Sequence, residues 1–286
     1  MKQFAIAITF FISAFSFGQS KVFEPNVILN SEAFGVTISP DGEMLLYTKA
    51  YGGRDTLRIF QSKKINGQWQ KPELAFFADT KFKQIDPTFS PDGKTILYNT
   101  LESAENSFDV FAVHKTKTGW TKPEKLTDAI NSKSSDFYAT ISLSKNIYFT
   151  RRTKSNDIYV SYFIDNKYQN AKLLEGPINT DMNESNPYIS PKEDYIIFFS
   201  DKTGGLGDTD LYISFNKNNK WSHPINLGDK VNSEISEFCP NVDTKNQRFL
   251  FSRTKIVDGK RIEDTYSISL KDLNLKVMKK LAKWDK

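Results

Sequence analysis

The chain has 286 residues, with 39 Lys or Arg against 34 Asp or Glu and a formal charge of +5. So mild an excess, spread along the whole length, argues against a nucleic-acid partner, which needs a clustered basic stripe. The single cysteine, Cys239, excludes an intramolecular disulfide, and the separated His114 and His223 suggest neither a zinc site nor a catalytic pair.

The first residues, MKQFAIAITFFISAFSFGQS, carry one charge at Lys2, an apolar run from Phe4 to Phe17, and small Ser16 and Gly18 at the spacing a signal peptidase needs. The pattern predicts a secretory signal over 1–18, and the run is shorter than the roughly 20 residues of a spanning helix. Its removal leaves 268 residues (286 minus 18) and a formal charge of +4, because Lys2 is its only charged side chain. No lipobox cysteine follows the signal, and no later stretch is apolar enough to enter a bilayer. Residues 19–286 are therefore expected to form one exported domain, periplasmic or secreted, with no membrane span after the signal is removed.

Segment 22–30 (VFEPNVILN) reads as an outer strand, and after it the same cassette returns five times: strand, polar turn, apolar strand, third strand. The turns are SPDG at 39–42, SPDG at 90–93, SLSKN at 142–146, SPKED at 190–194 and DTKN at 243–246. Their first residues are 51, 52, 48 and 53 apart, a period that marks the blades of a β-propeller. The second cassette is the most complete. Pro91 and Gly93 suit its turn, 94–100 (KTILYNT) its second strand, 109–113 (DVFAV) its third, and 120–126 (WTKPEKL) its outer strand. In the third and fifth turns, Asn146 and Asn246 are expected to take the left-handed conformation.

The outer half of the cassette is equally regular. Asp109 precedes Trp120, Asp157 precedes Tyr168 and Asp210 precedes Trp221 by 11 residues each; in the first unit the offset joins Arg58 to Trp69, and in the fifth Asp264 to Leu275. A constant offset predicts a hairpin of fixed length, its aromatic packed between neighbouring blades and its acid bonded to backbone at the strand entrance. The SPDG turns with their apolar strands, and the third strands DVF, DIY and DLY, resemble the WD40-like propeller repeats of the TolB type over essentially the whole chain from Asn30 onward. SDKTGGLGDTDLYIS at 200–214, WTKPEKL and WSHPINL are similar to forms common in exported envelope proteins of the Bacteroidetes type. The resemblance implies an all-β fold, a closed propeller of four-stranded blades that serves as a partner-binding platform, commonly with six blades. Five full cassettes favour five here, with six possible. The ring is expected to be closed by terminal strands, for which 22–30 and 273–281 (LNLKVMKKL) compete.

In such a ring the first strand of each blade lines the channel, and its start and the end of the second strand open on one face. Six residues before the turn stand Asp136, Glu184 and Glu237, with Ala33 and Gln84 in the other blades; Lys49, Thr100, Arg151, Asp201 and Arg253 end the second strands. Lys49, Asp136, Arg151, Glu184, Glu237 and Arg253 are thus the candidate binding set, with Arg151 and Arg253 as anion holders. These charges can equally pair with one another and orient the loops. A carbohydrate-active hydrolase using Glu184 and Glu237 as paired carboxylates is the alternative to a non-catalytic platform for an envelope protein, peptide or glycan. No nucleophile elbow, catalytic triad or P-loop supports it. The oxygen-rich loop 201–210 lacks the EF-hand spacing and reads as a glycine-rich connection, Cys239 reads as a buried structural thiol, and a monomer without metal or cofactor is expected.

Overall fold

The computed structural model of the chain describes residues 19–24, 27–28, 32–102 and 107–285; the predicted signal over 1–18 lies outside the described residues. They form a β-propeller of five antiparallel sheets around a central channel. The inner strands are Ala33–Ile38, Lys83–Phe89, Ser135–Ile141, Glu184–Ile189 and Ser236–Asp243. Each pairs with a second strand (Met44–Tyr51, Thr95–Leu101, Ile147–Arg152, Tyr195–Ser200 and Arg248–Val257) and through it with a third (Thr56–Ile65, Asp109–His114, Asn156–Ser161, Asp210–Lys217 and Lys260–Ser269).

The turns are organised by their serines. Ser90 Oγ donates to Asp92 Oδ1 at 2.6 Å and accepts from the Thr95 N–H at 2.9 Å, and Ser39 and Ser190 make the same pair of contacts. Left-handed backbone falls on Gly42, Gly93, Lys145, Glu193 and Gln247, not on Asn146 or Asn246 as the sequence suggested. The two asparagines act through their side chains instead. Asn146 Oδ1 accepts from the Phe163 N–H, and Asn246 Nδ2 donates to Asp243 Oδ2.

The outer strands are shorter than WTKPEKL implied. In three blades a proline, which has no N–H for a ladder, separates the aromatic from the paired segment: Pro72, Pro123 and Pro224 lie between Trp69, Trp120 and Trp221 and the two-residue strands Glu73–Leu74, Glu124–Lys125 and Ile225–Asn226. The aromatics do pack between blades. Trp69, Trp120, Tyr168 and Trp221 each join the cluster shared with the preceding blade, and Leu275 holds the corresponding place between blades four and five. Of the third-strand acids, Asp210 accepts the Leu206 and Gly207 N–H groups as expected. Asp109 and Asp264 instead pair with Lys125 and Lys255, Asp157 accepts from Ser155, and Arg58 bonds the Thr80 and Phe82 carbonyls.

The N-terminal segment closes the ring. Lys21 and Val22 pair with Ser267 and Tyr266 at the outer edge of blade five, the Phe23 N–H donates to the Thr265 carbonyl at 2.9 Å, and part of 22–30 lies outside the described residues. The competing segment 273–281 is not a strand: Leu270–Leu273 and Leu275–Leu281 are short helices packed on the cluster between blades four and five. Among the described residues no helix is long and apolar enough to cross a membrane. Phe23, 2% exposed, reaches the cluster shared by blades five and one, under the Arg248 guanidinium. Phe23→Ala is expected to destabilise the fold by about 3–5 kcal/mol, read as a lower urea midpoint; an unchanged midpoint would mean that the seam does not hold the ring.

Candidate functional site

The register sets the start of each inner strand against the end of the second: Ala33 opposite Lys49, Gln84 opposite Thr100, Asp136 opposite Arg151, Glu184 opposite Ser200 and Glu237 opposite Arg253. In blade four the partner is thus Ser200, and Asp201, one residue on, accepts from the Asn183 N–H and Nδ2. Asp136 and Glu237 are fully buried and receive the Arg151 and Arg253 Nε–H at 2.6 and 2.7 Å. Each arginine also donates to a carbonyl of the loop before the inner strand of its blade, Ile130 and Val231. The second oxygens of the acids accept the Ser132 and Ser233 N–H groups, and Glu184 likewise takes the Thr180 N–H with the Thr180 and Ser200 hydroxyls. Burial, outweighing the adjacent guanidinium, pushes the Asp136 and Glu237 carboxyls above the usual range. Lys49 lies with Nζ 5.2 Å from the Tyr51 ring centre.

A second five-membered set lies two residues further along the inner strands. Gly35, Asp86, Tyr138, Asn186 and Cys239 have φ of 62°, 55°, 49°, 54° and 51°, each inside the β-bulge of its strand. The bulge turns a backbone N–H away from its own sheet toward the channel, where it needs a partner. The preceding blade supplies one. Asp86 donates to Thr48 Oγ1, Tyr138 to Asn99 Oδ1, Asn186 to Thr150 Oγ1 and Gly35 to Ser252 Oγ, at 2.9–3.0 Å. Phe199 occupies the equivalent place in blade four, and the Cys239 N–H turns to Asn186 Oδ1 at 3.3 Å. The Tyr138 hydroxyl crosses to the Pro240 carbonyl at 2.8 Å and joins the floor to blade five.

Above this floor a cavity of about 550 Å³ opens on the face where inner strands start and second strands end. Its wall includes Phe34, Phe108, Phe137, Phe199 and Phe238, and its charged groups are Glu32, Arg54, Asp86, Arg152, Arg261 and Glu263. None of Lys49, Asp136, Arg151, Glu184, Glu237 and Arg253 is among the residues that line it. Arg54 forms a two-pronged contact with Glu263, 2.7 and 3.2 Å, over the Phe34 ring. Among the described residues Arg152 has only an amide acceptor, Asn156 Oδ1, and it lies 5.3 Å from the Phe137 ring centre. Arg261 reaches Asp208 only at 3.7 Å and contacts the Ser236 and Thr254 hydroxyls. Period-two alternation is the signal that could have found Arg152: its neighbour Arg151 is turned toward Asp136, so the next side chain faces the other way.

Asp86 is 4% exposed and accepts from the Cys239 thiol at 3.6 Å. Burial drives its carboxyl from the ordinary 3.8 to about 7, against the opposing pull of Arg54 and of that thiol contact. Cys239 is free and buried, which pushes its thiol well above the usual value. The loop 201–210 is a tight structural connection. A Cβ on Gly205 would come 2.5 Å from Asp210 Oδ2, and one on Gly207 would come 2.5 Å from the Ser233 and Ile235 carbonyls. Among the described residues no group of three or more His, Cys, Asp or Glu could hold a metal ion.

A five-bladed propeller with an arginine- and phenylalanine-lined mouth is the class of protein that this geometry defines. No family model matches the chain, and no curated protein matches it. Solved structures do. TolB from Acinetobacter baumannii is 14% identical with a TM-score of 0.51 over 83% of this chain and 55% of that one. A protein assigned as TolB in Agrobacterium tumefaciens is 16% identical, TM-score 0.53, covering 82% and 80%. The endo-arabinase from Bacteroides thetaiotaomicron is 15% identical, TM-score 0.55, covering 83% and 93%. At these identities the likeness is one of fold, and the chain spans 55% of the A. baumannii TolB chain. The fold is TolB-like.

Arg151→Ala leaves the Asp136 carboxylate buried without its cation and is expected to cost about 3–5 kcal/mol in denaturant unfolding. Asp86 gives a pH dependence of definite sign. Between 3.8 and about 7 the unfolded chain has released a proton that folded Asp86 keeps, so stability falls as pH rises through this window and levels above it. The full effect is on the order of 4 kcal/mol. Asp86→Asn should flatten the fall between pH 4 and 7, measured by urea midpoints; parallel curves for the two proteins would assign the proton elsewhere.

Proposed function

We propose that the chain is a non-catalytic, exported propeller that binds a protein, peptide or glycan of the cell envelope at its channel mouth. The observation that carries this reading is the cavity itself, about 550 Å³, walled by phenylalanines and rimmed by Arg152, which among the described residues has no carboxylate partner, and Arg261, whose pair with Asp208 is as long as 3.7 Å. Aromatic faces supply contact area at small entropic cost, and guanidinium groups left with open donors give direction to an acidic or carbonyl-bearing ligand. The sequence-selected residues act one step back in this reading. Asp136 with Arg151, Glu237 with Arg253, and Glu184 with Thr180 and Ser200 hold the loops that lead into the inner strands and so shape the rim.

The same contacts favour binding over hydrolysis. An acid–base pair needs carboxyl oxygens that can exchange protons with substrate, whereas Glu184 and Glu237 are fully buried with both oxygens engaged by internal donors. The test is recovery of partners from envelope extract on immobilised wild-type protein and on the Arg152→Ala/Arg261→Ala double variant. Loss of about tenfold or more in recovery is expected, since a hydrogen bond to a charged group is worth roughly 1.5–3 kcal/mol. Unchanged recovery would remove the mouth as the binding surface. Hydrolysis of a glycan panel that disappears in Glu184→Gln and Glu237→Gln would replace binding by catalysis.

A further inference from the structure

The floor of the cavity contains a carboxyl group that the protein itself does not satisfy. Asp86 Oδ1 receives the Cys239 thiol, while Oδ2 meets no donor among the described residues. No buried side-chain oxygen or nitrogen of the described residues lacks a partner, so this oxygen is open to the cavity that Asp86 lines. Nor is its charge cancelled nearby. Arg54, the cation closest in effect, is held by both oxygens of Glu263, and Glu32 adds a further negative group to the wall.

The aromatic faces of the wall already hold cations of the protein, Arg54 over Phe34 and 5.8 Å from the Phe238 ring centre and Arg152 5.3 Å from that of Phe137, so the open Asp86 oxygen is the group left to receive a cation from outside. Below, the buried Tyr138 reaches across to the Pro240 carbonyl, and Asp86 lines the cavity that opens at the mouth, the side from which a ligand group would reach it. At the mouth the charge reverses, with Arg152 and Arg261 placed to hold a carboxylate. A ligand that matches both levels carries a primary ammonium at a free end and an acidic group behind it, a combination that peptides supply.

Resting on the binding reading above, we propose that Asp86 is the recognition residue for the primary ammonium of a peptide ligand, with Arg152 and Arg261 taking a carboxylate of the same peptide. The ammonium has two sources, a free N terminus or a lysine side chain. Asn is the conservative replacement at this site, because Asn186 already occupies the same left-handed position in blade four, with φ of 54° against 55° for Asp86. The Asp86→Asn protein should therefore fold.

The probe is a pooled library of amidated tripeptides containing one Asp, made in three forms: free amine without Lys, N-acetylated without Lys, and N-acetylated with Lys. Retention on the immobilised protein is read by mass spectrometry, with a glucosamine tetramer as competitor. At least one ammonium-bearing form is expected to be retained about tenfold or more above the acetylated, Lys-free form, and which of the two wins identifies the source. The preference should vanish in Asp86→Asn. Equal retention of all forms, a preference that survives in Asp86→Asn, or displacement of the peptides by glucosamine tetramer at equal concentration each overturns the proposal. If partner recovery from envelope extract still depends on Arg152 and Arg261 in those cases, only the ammonium assignment falls; if it does not, the binding reading falls with it.

Discussion

A backbone N–H that faces the channel, away from its own ladder, is the constraint around which this propeller is built. Each inner strand carries one left-handed residue in a bulge, and each bulge frees one donor in a place with little water. Four blades answer it with a hydroxyl or amide from the second strand of the preceding blade: Thr48, Asn99, Thr150 and Ser252. Such a bond works only if neighbouring blades keep a fixed offset, so satisfying the donor also sets the angular step of the ring. The apolar clusters between blades then fill the wedges left further out, from Trp69 and Tyr47 at the closure to Trp221 and Tyr148 between blades three and four.

The buried acids divide by what meets them. Asp136 and Glu237 have a guanidinium and a serine, Glu184 has hydroxyls and an N–H, and all three anchor the loop that precedes their strand. Burial still outweighs the attraction to arginine at Asp136 and Glu237, as expected where desolvation exceeds the Coulombic gain. They position backbone through geometry more than they add net stability. Among the described residues Asp86 has neither cation nor serine in contact, and burial drives its carboxyl to about 7 although Arg54 and the Cys239 thiol contact pull the other way. That difference separates the acids that hold the loops before the inner strands from the one that faces the cavity.

Much of the fold was legible in the chain because it is written five times. The turn period gave five blades, the offset of 11 located the inter-blade aromatics, and alignment of the cassettes led to Asp136, Glu184 and Glu237. What stayed hidden depends on phase. A bulge inserts one residue into the two-residue alternation and flips every side chain beyond it, so a reading that assumes unbroken strands does not recover which side chains face the channel. The second strand has no such break, and there alternation suffices: Arg151 is turned toward Asp136, and its neighbour Arg152 lines the cavity. Lys145 and Gln247 adopt left-handed backbone that local preference assigns to Asn, since the position in the turn decides and the residue yields. The C-terminal helices were masked by a pattern, LNLKVMKKL, whose leucines fit a short strand or a helix equally well.

The site forms where the five-fold pattern breaks. Five equal side chains on the floor would close the channel symmetrically; here Gly35 stands at one position and Tyr138 at another, the smallest residue and nearly the largest. A Cβ on Gly35 would lie 3.3 Å from Asp86 Oδ1 and 3.8 Å from Cys239 Sγ, so the glycine leaves room for those two to meet, while the tyrosine reaches across to Pro240. Blade four breaks the pattern again. Phe199 puts an aromatic face on the cavity where a polar cap stands in the other blades, and the orphaned Cys239 N–H is recovered by Asn186 from the floor itself. At Phe199 the irregularity removes an inter-blade contact and gives surface that faces the cavity, whereas Gly35 keeps its bond to Ser252 and Tyr138 adds one to Pro240. Symmetry therefore accounts for the stability of this propeller, and the departures from it account for its chemistry.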